Sequence, residues 1–324
     1  MRFILTTRIS RTLAALLITA SLTFAQSPAT PPAPPTPATP PSPVSGMRNK
    51  IAAGDLLSAE SILEVHRAKN GEDSTWLLGL SWLARGALLM DDVEKAERYA
   101  AQVRTICADR MAHGTSLEKH YELEYSYGTA IEVEAQRLER TKGIPQAAEY
   151  LRGELAHVKG PVSLVSRLNK RLNILTLTGE PASELMVEDF VGSQPPTFAS
   201  LRGKPVLLFI WYFGCGDCKA QEATLAKVKS RYTEKGLQVV ALTRYYEVDS
   251  LRAHEKFQID SVWKSVYADV GTVPMVISTA SMERYGGSST PTFVFIDKAG
   301  IVRRYTPTRL TEEEFEKTIE PLLH

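Results

Sequence analysis

Two cysteines stand three residues apart at Cys215-Gly-Asp-Cys218, directly behind the apolar run Val206-Leu-Leu-Phe-Ile-Trp-Tyr-Phe213. A run of this kind reads as a buried strand. The stretch that follows, Lys219 to Val228, reads as a helix. The cysteines therefore fall on a first helical turn. Unpaired backbone N–H groups and the positive end of the helix dipole favour a thiolate there. The thiolate is the attacking species in disulfide exchange, and the first cysteine of a Cys-x-x-Cys pair can ionise well below a free thiol. The second lies within reach to close a disulfide. The chemistry this spacing offers is mixed-disulfide formation followed by internal attack.

Other readings of the pair are weaker. Half of a zinc site needs a second pair of ligands. The remaining cysteine, Cys107, stands alone far upstream, and no histidine pair has metal spacing. No metal and no cofactor is expected. A purely structural disulfide over so short a loop would constrain little of the unfolded chain.

The surrounding sequence resembles a known family. From Phe190 onward the chain is similar to thioredoxin-fold proteins of the TlpA/ResA type, thiol–disulfide oxidoreductases that face the outside of the membrane. Phe198-Ala-Ser-Leu-Arg-Gly-Lys-Pro-Val206 resembles the loop before the family's first long strand. Trp211 stands where the family places a tryptophan before its active site. Tyr285-Gly-Gly-Ser-Ser-Thr-Pro-Thr-Phe-Val-Phe-Ile-Asp297 resembles the later signature, in which a Thr-Pro dipeptide with a cis proline faces the cysteines. The resemblance covers residues 185–324. It implies Cys215 as nucleophile, Cys218 as resolving thiol, and a cis bond between Thr290 and Pro291. It implies protein dithiols or disulfides as substrates, and an upstream electron donor.

The chain departs from the family pattern in places. Gly214 replaces a tryptophan before the first cysteine, and Gln221 stands where relatives carry glutamate, with Glu222 next to it. These departures bear on the redox potential and the proton-handling group, not on the reaction class. On one continuous helix Cys215, Cys218 and Glu222 would share a face. Glu222 is then a candidate proton relay for Cys218; the plainer reading is a solvated first-turn acid. Trp211 is expected to pack beneath the site.

The elements that must position these residues follow from the pattern. A short extended segment at 187–190 precedes the strand from Val206. The active-site helix runs from Cys215 to about Lys235. A strand at 238–243, a helix near 249–257 and an unassigned apolar segment around 273–277 come next. Strands at 293–296 and 302–305 form a hairpin, and a helix at 312–323 capped by Thr311 closes the chain. That is the thioredoxin order.

The 324-residue chain is long enough for two domains, with a formal net charge of +1 and no basic block that would suit nucleic acid. Arg2, Arg8 and Arg11 precede the apolar stretch Leu13–Ala25. This is the shape of a secretory signal peptide over residues 1–25 and implies a periplasmic or otherwise exported protein. An uncleaved N-terminal membrane anchor is the alternative. Residues 26–46 are proline-rich and read as an extended linker. Residues 47–178 read as helical at 55–69, 74–89, 93–107, 117–140, 146–158 and 162–175, with small residues inside the helices. They form an all-α bundle or a tetratricopeptide-like array, with Trp76, Trp82, Tyr99 and Tyr150 as interior aromatics. Such an array offers a surface for a peptide or protein; the plainer reading is packing against the redox domain. Cys107, on an apolar helical pattern, reads as a buried, inert thiol.

The fold class expected is thus an α/β thioredoxin-like domain behind a helical domain, divided 47–178 and 185–324. The function expected is disulfide exchange with protein thiols. A scaffold or binding protein with a minor redox role is the alternative. A thiol peroxidase is a third class, but its threonine and proline ahead of a peroxidatic cysteine do not stand before Cys215.

Overall fold

Aspartates start three of the first helices, and their side chains set the boundaries. Asp55, Asp73 and Asp92 each accept a hydrogen bond from the backbone N–H three residues on and so satisfy an orphan donor. In the computed structural model, which describes residues 42–324, these caps open α2 (Leu56–Asn70), α3 (Ser74–Leu89) and α4 (Val93–Ala112). Before them lies α1 (Pro43–Ala52), and after them α5 (Tyr121–Lys142), α6 (Ile144–His157) and α7 (Val162–Thr176). The odd-numbered helices pack one against the next in a row, and each even-numbered helix lies against both its neighbours. Their shared core includes Trp76, Leu80, Ala84, Val103, Cys107, Ile131 and Leu164. Trp76 is buried, whereas Trp82, Tyr99 and Tyr150 are only partly covered at its margin.

The end of the proline-rich stretch is corrected here. The composition predicts a linker through residue 46, yet α1 begins at Pro43, capped by Ser42. Proline suits the first turn of a helix, where its missing N–H has no partner to lose. The segment expected to be a signal peptide, and the rest of the proline-rich segment, lie outside the described residues.

The second half is built on a six-stranded mixed sheet. Its elements are β1 (Asp189–Val191), α8 (Phe198–Leu201), β2 (Val206–Ile210), α9 (Gly216–Lys219), α10 (Glu222–Tyr232), β3 (Gln238–Thr243), a 3-10 turn at Asp249–Leu251, α11 (Arg252–Val266), β4 (Met275–Ile277), α12 (Thr279–Arg284), β5 (Thr292–Ile296), β6 (Val302–Thr306) and α13 (Glu312–Leu323). Strand order is β1-β4-β3-β2-β5-β6. The pairs β2/β3 and β3/β4 are parallel; β2/β5, β5/β6 and β1/β4 are antiparallel. This is a thioredoxin-like domain. Strand side chains alternate between faces, so central β2 serves two cores. Leu207 and Phe209 join one, with Trp211, Cys218 and Phe293; Val206, Leu208 and Ile210 join the other, with Val240 and Tyr285.

The described residues fall in one compact unit. Segment 179–182 hydrogen-bonds alongside β6, with Gly179 and Ala182 donating to Val302 and Gly300 and Val302 donating back to Glu180. Helix α7 packs on α12 and β6. Gly286, with φ of 64°, lets the chain pass against α7; a Cβ there would meet the backbone of Lys170. Asn173 donates a side-chain hydrogen bond to the Arg284 carbonyl at 3.0 Å.

Candidate active site

The site begins where β2 ends. The Trp211 N–H still donates to the Leu242 carbonyl of β3 at 3.0 Å. A tight turn follows, closed by the Cys215 N–H on the Tyr212 carbonyl. Cys215 is the N-cap of α9, and its Sγ accepts the Cys218 N–H at 3.0 Å. A sulfur in this position receives the orphan donor of a helix start, an arrangement that favours the thiolate. The two cysteines are joined as a disulfide. Cys215 is half-buried and Cys218 wholly buried in the aromatic core. An incoming thiol or disulfide therefore reaches Cys215 first.

The Thr290–Pro291 peptide bond is cis. The Thr290 carbonyl oxygen lies 3.3 Å from the Cys215 Sγ, so the loop before β5 flanks the reactive sulfur. Trp211 is fully buried. Its ring lies 5.1 Å from that of Trp263 and 5.3 Å from that of Tyr267. It forms the floor behind Cys218 and does not reach the surface.

Glu222 is placed differently from expectation. The helix does not run unbroken from Cys215; it is interrupted at Ala220 and Gln221, between α9 and α10. Gln221 is anchored at this interruption. Its buried amide donates to the Leu310 carbonyl at 2.9 Å and accepts the Leu310 N–H at 2.8 Å, tying the active-site helix to the loop before α13. Among the described residues Glu222 makes no hydrogen bond to either cysteine. Its charge acts instead on the buried phenol of Tyr267, which burial first and Glu222 second push upward. Gln221 is thus a structural bridge.

The sequence reading missed an aromatic rim. Tyr212 packs against Phe213 and Tyr246, with ring centroids 4.6 and 4.5 Å apart, and Arg244 lies over Tyr246 at 4.1 Å. A Cβ at Gly214 would stand 2.6 Å from the Tyr212 ring. Tyr212 thus fills the space beside Cys215 that a larger residue 214 would need. The Arg244–Glu247 loop is held by the buried carboxylate of Glu255, which accepts the N–H groups of Tyr246 and Glu247 at 2.8 and 3.1 Å. Tyr212 was visible at the end of the apolar run. Nothing marked Arg244 and Tyr246 except their place just behind a strand. The exposed carboxylate of Asp217 also has a partner that spacing could not show, Arg309 at 3.6 Å.

Cys107 is remote from all this. It is buried in the helical core, and burial pushes its thiol up to about 12.

A dithiol or disulfide at the N-terminus of a helix, on a thioredoxin-like sheet and beside a cis proline, defines a thiol–disulfide oxidoreductase. Known proteins similar to this chain align with its second half. Residues 178–305 match the AhpC/TSA family. No curated protein sequence matches. Among solved structures, a thioredoxin-like superfamily protein is similar at 23% identity and a TM-score of 0.38, over 44% of this chain and 96% of that one. An exposed lipoprotein thioredoxin of Streptococcus pneumoniae is similar at 22% identity and a TM-score of 0.35, over 43% and 98%. A secreted Mycobacterium tuberculosis disulfide oxidoreductase homologous to Escherichia coli DsbE is similar at 20% identity and a TM-score of 0.33, over 40% and 89%.

Proposed function

We propose that this protein is exported and reduces disulfides of partner proteins through Cys215 and Cys218. The observation that carries the reading is the order of exposure: Cys215 half-exposed at a helix start beside Thr290, and Cys218 buried behind it. The Cys215 thiolate attacks a substrate disulfide and expels one substrate thiolate. Cys218 then attacks the mixed disulfide, releases the second substrate thiol and leaves the protein oxidised. Two electrons pass to the substrate, and no cofactor is needed. Return to the dithiol requires an upstream dithiol donor. Thr290 and Pro291 border the substrate's path, Trp211 shapes the floor, and Glu222 acts on the buried Tyr267 phenol rather than on the cysteines.

Export rests on the signal-like residues 1–25, with anchoring by an uncleaved N-terminus as the alternative. No helix among the described residues is long and apolar enough to cross a membrane. The division into a helical part at 47–178 and a redox part at 185–324 follows the separate apolar clusters.

The test is to express Cys218→Ser in cells and identify proteins held as mixed disulfides. Trapped proteins that disappear with Cys215→Ser support the reading; none trapped counts against it. Direction is tested by equilibrating Cys215–Cys218 with glutathione. A potential near or below about −200 mV supports a reductant, and one near about −120 mV marks an oxidant.

A further inference from the structure

A cleft of about 290 Å³ opens where the helical half meets the loop before the cis proline. Arg85, Arg167 and Lys170 line it from the helical side, and Ser288 lines it from the loop. The charges on its wall do not balance. Glu132 is buried and accepts from Arg85 at 2.9 Å and from Arg167 at 2.7 Å. Arg167 also donates to the Thr129 hydroxyl and the Tyr125 carbonyl, so both terminal nitrogens of its guanidinium are engaged. Lys170 is left over. Its Nζ is 3.9 Å from Glu132, beyond hydrogen-bond distance, and donates to the Ser289 hydroxyl at 3.2 Å. An ammonium has three donors. Glu124, also on the wall, has its carboxyl pushed up by burial, with Arg167 and Ser163 opposing. Burial likewise pushes the Lys170 amine down, with Glu132 opposing only in part.

The cleft is next to the chemistry. Ser288 and Ser289 directly precede Thr290, whose carbonyl is 3.3 Å from the Cys215 sulfur. Two residues span at most about 7 Å of chain. A polypeptide seated at Cys215 and running along this loop passes the cleft within a few residues of its own cysteine.

We propose that the cleft receives an acidic side chain of the polypeptide whose disulfide is engaged at Cys215, with Lys170 as the specificity-determining contact. This rests on the reading of the dithiol as acting on protein disulfides. A carboxylate supplies the acceptor that Lys170 lacks, in surroundings where a charge-assisted hydrogen bond is strong. The helical half then selects substrates, and the redox half converts them.

The test separates binding from redox chemistry. Two cysteine-free labelled peptides, identical except for glutamates in one and glutamines in the other, are titrated onto the oxidised full-length protein. The acidic peptide should bind roughly tenfold tighter, the worth of one charge-assisted contact. Lys170→Gln should bring the two affinities together, and Lys170→Arg should restore part of the difference. Equal affinities in the wild type, or a preference that survives Lys170→Gln, would overturn the proposal. Inorganic phosphate competing as well as the acidic peptide would overturn it too, by marking a small-anion site. Should Lys170→Gln fail to fold, Arg85→Gln, on a more exposed side chain, must weaken the preference in its place. Reduction of the matching disulfide peptides is then measured. If neither is reduced, the redox reading fails while the binding result stands on its own; if both are reduced equally, the cleft proposal alone fails.

Discussion

The two halves of this chain bury different chemistry. The helical half buries ions: Glu132 and Arg167 meet among α3, α5 and α7, with Arg85 and Lys170 at the edge. The redox half buries rings: Phe209, Trp211, Trp263, Tyr267, Phe293 and Phe315 pack against one another, edge-on, tilted or stacked, in the core that holds Cys218. Its one fully buried carboxylate, Glu255, is answered by backbone N–H groups and not by a cation. A ring core is close-packed around Cys218, so its sulfur is guarded by shape. An ion core fixes where helices meet and can leave a surplus charge at its margin. Here that margin is Lys170, against Ser289. The same contrast separates two cysteines. Cys107 and Cys215 are chemically identical, yet one is sealed among helices and the other caps a helix start.

The largest effect should come from breaking that last contrast. Cys215→Ser should abolish turnover in an insulin-reduction assay, whereas Cys107→Ser should leave it intact. At pH 8 iodoacetamide should label Cys215 in the reduced protein and leave Cys107 unlabelled until denaturant is added. Burial raises the folded thiol to about 12, so the unfolded chain releases this proton first. Stability should therefore fall as pH rises from the ordinary thiol range towards 12, and Cys107→Ala should flatten that slope. Rapid labelling of native Cys107 would show that the helical core opens.

Next comes the ion core. Glu132→Ala leaves Arg167 buried without its carboxylate, and such a break costs about 3–5 kcal/mol. Thermal unfolding should show it as a large fall in midpoint. Replacing Glu132 and Arg167 together by methionine should recover most of the loss, because an apolar pair of similar volume needs no compensation. A single mutant as stable as the wild type would mean the network contributes nothing.

The seam between the halves should give the next largest change. Gly286→Val forces a branched side chain into the left-handed region, at a cost of about 1–2 kcal/mol, and drives it into the backbone of α7. Loss of stability accompanied by faster proteolysis near residue 178 would show that docking of α7 depends on this glycine. A variant with unchanged stability would mean the two halves associate loosely.

These particulars show how far the sequence could be read. The caps at Asp55, Asp73 and Asp92 lie beside the residues they serve, so α2, α3 and α4 start within a residue of expectation. The runs of β2 and β3 were legible because their length and flanks fix them, and Thr311 with Glu314 forms a capping box at α13. What escaped depends on distant partners. At the break, Gln221 is tied to Leu310, 89 residues away, and no glycine or proline announces the interruption. Helix α1 was hidden by proline composition, although Pro43 occupies the position where proline is allowed. Short β4 and α12 carry too few residues to show a period. The cysteines could be found from local spacing, and Thr290-Pro291 from the resemblance of its segment to a family signature. The cleft at Lys170 could not, since its walls come from α3, α5, α7 and the loop before β5.

The smallest effect concerns the charge between the two cysteines, and it refines the contrast between guarded and exposed sulfur. Asp217 is exposed and sits one residue from Cys218, so its charge opposes a thiolate at Cys215. Read alone, it should hold the disulfide against reduction. The structure adds Arg309 at 3.6 Å, also exposed, which offsets much of that charge. Exposed pairs are worth about 0–1 kcal/mol, and about 30 mV corresponds to about 1.4 kcal/mol for a two-electron couple. Asp217→Asn should therefore raise the Cys215–Cys218 potential by no more than about 20 mV, because the thiolate form loses an opposing charge. Arg309→Gln should lower it by a similar amount, because Asp217 is then uncompensated. Both shifts should shrink in high salt, as screening requires. Equilibration of each variant with glutathione at low and high ionic strength measures them. Shifts of equal sign in the two variants would mean that Arg309 acts on the sulfurs by some route other than Asp217.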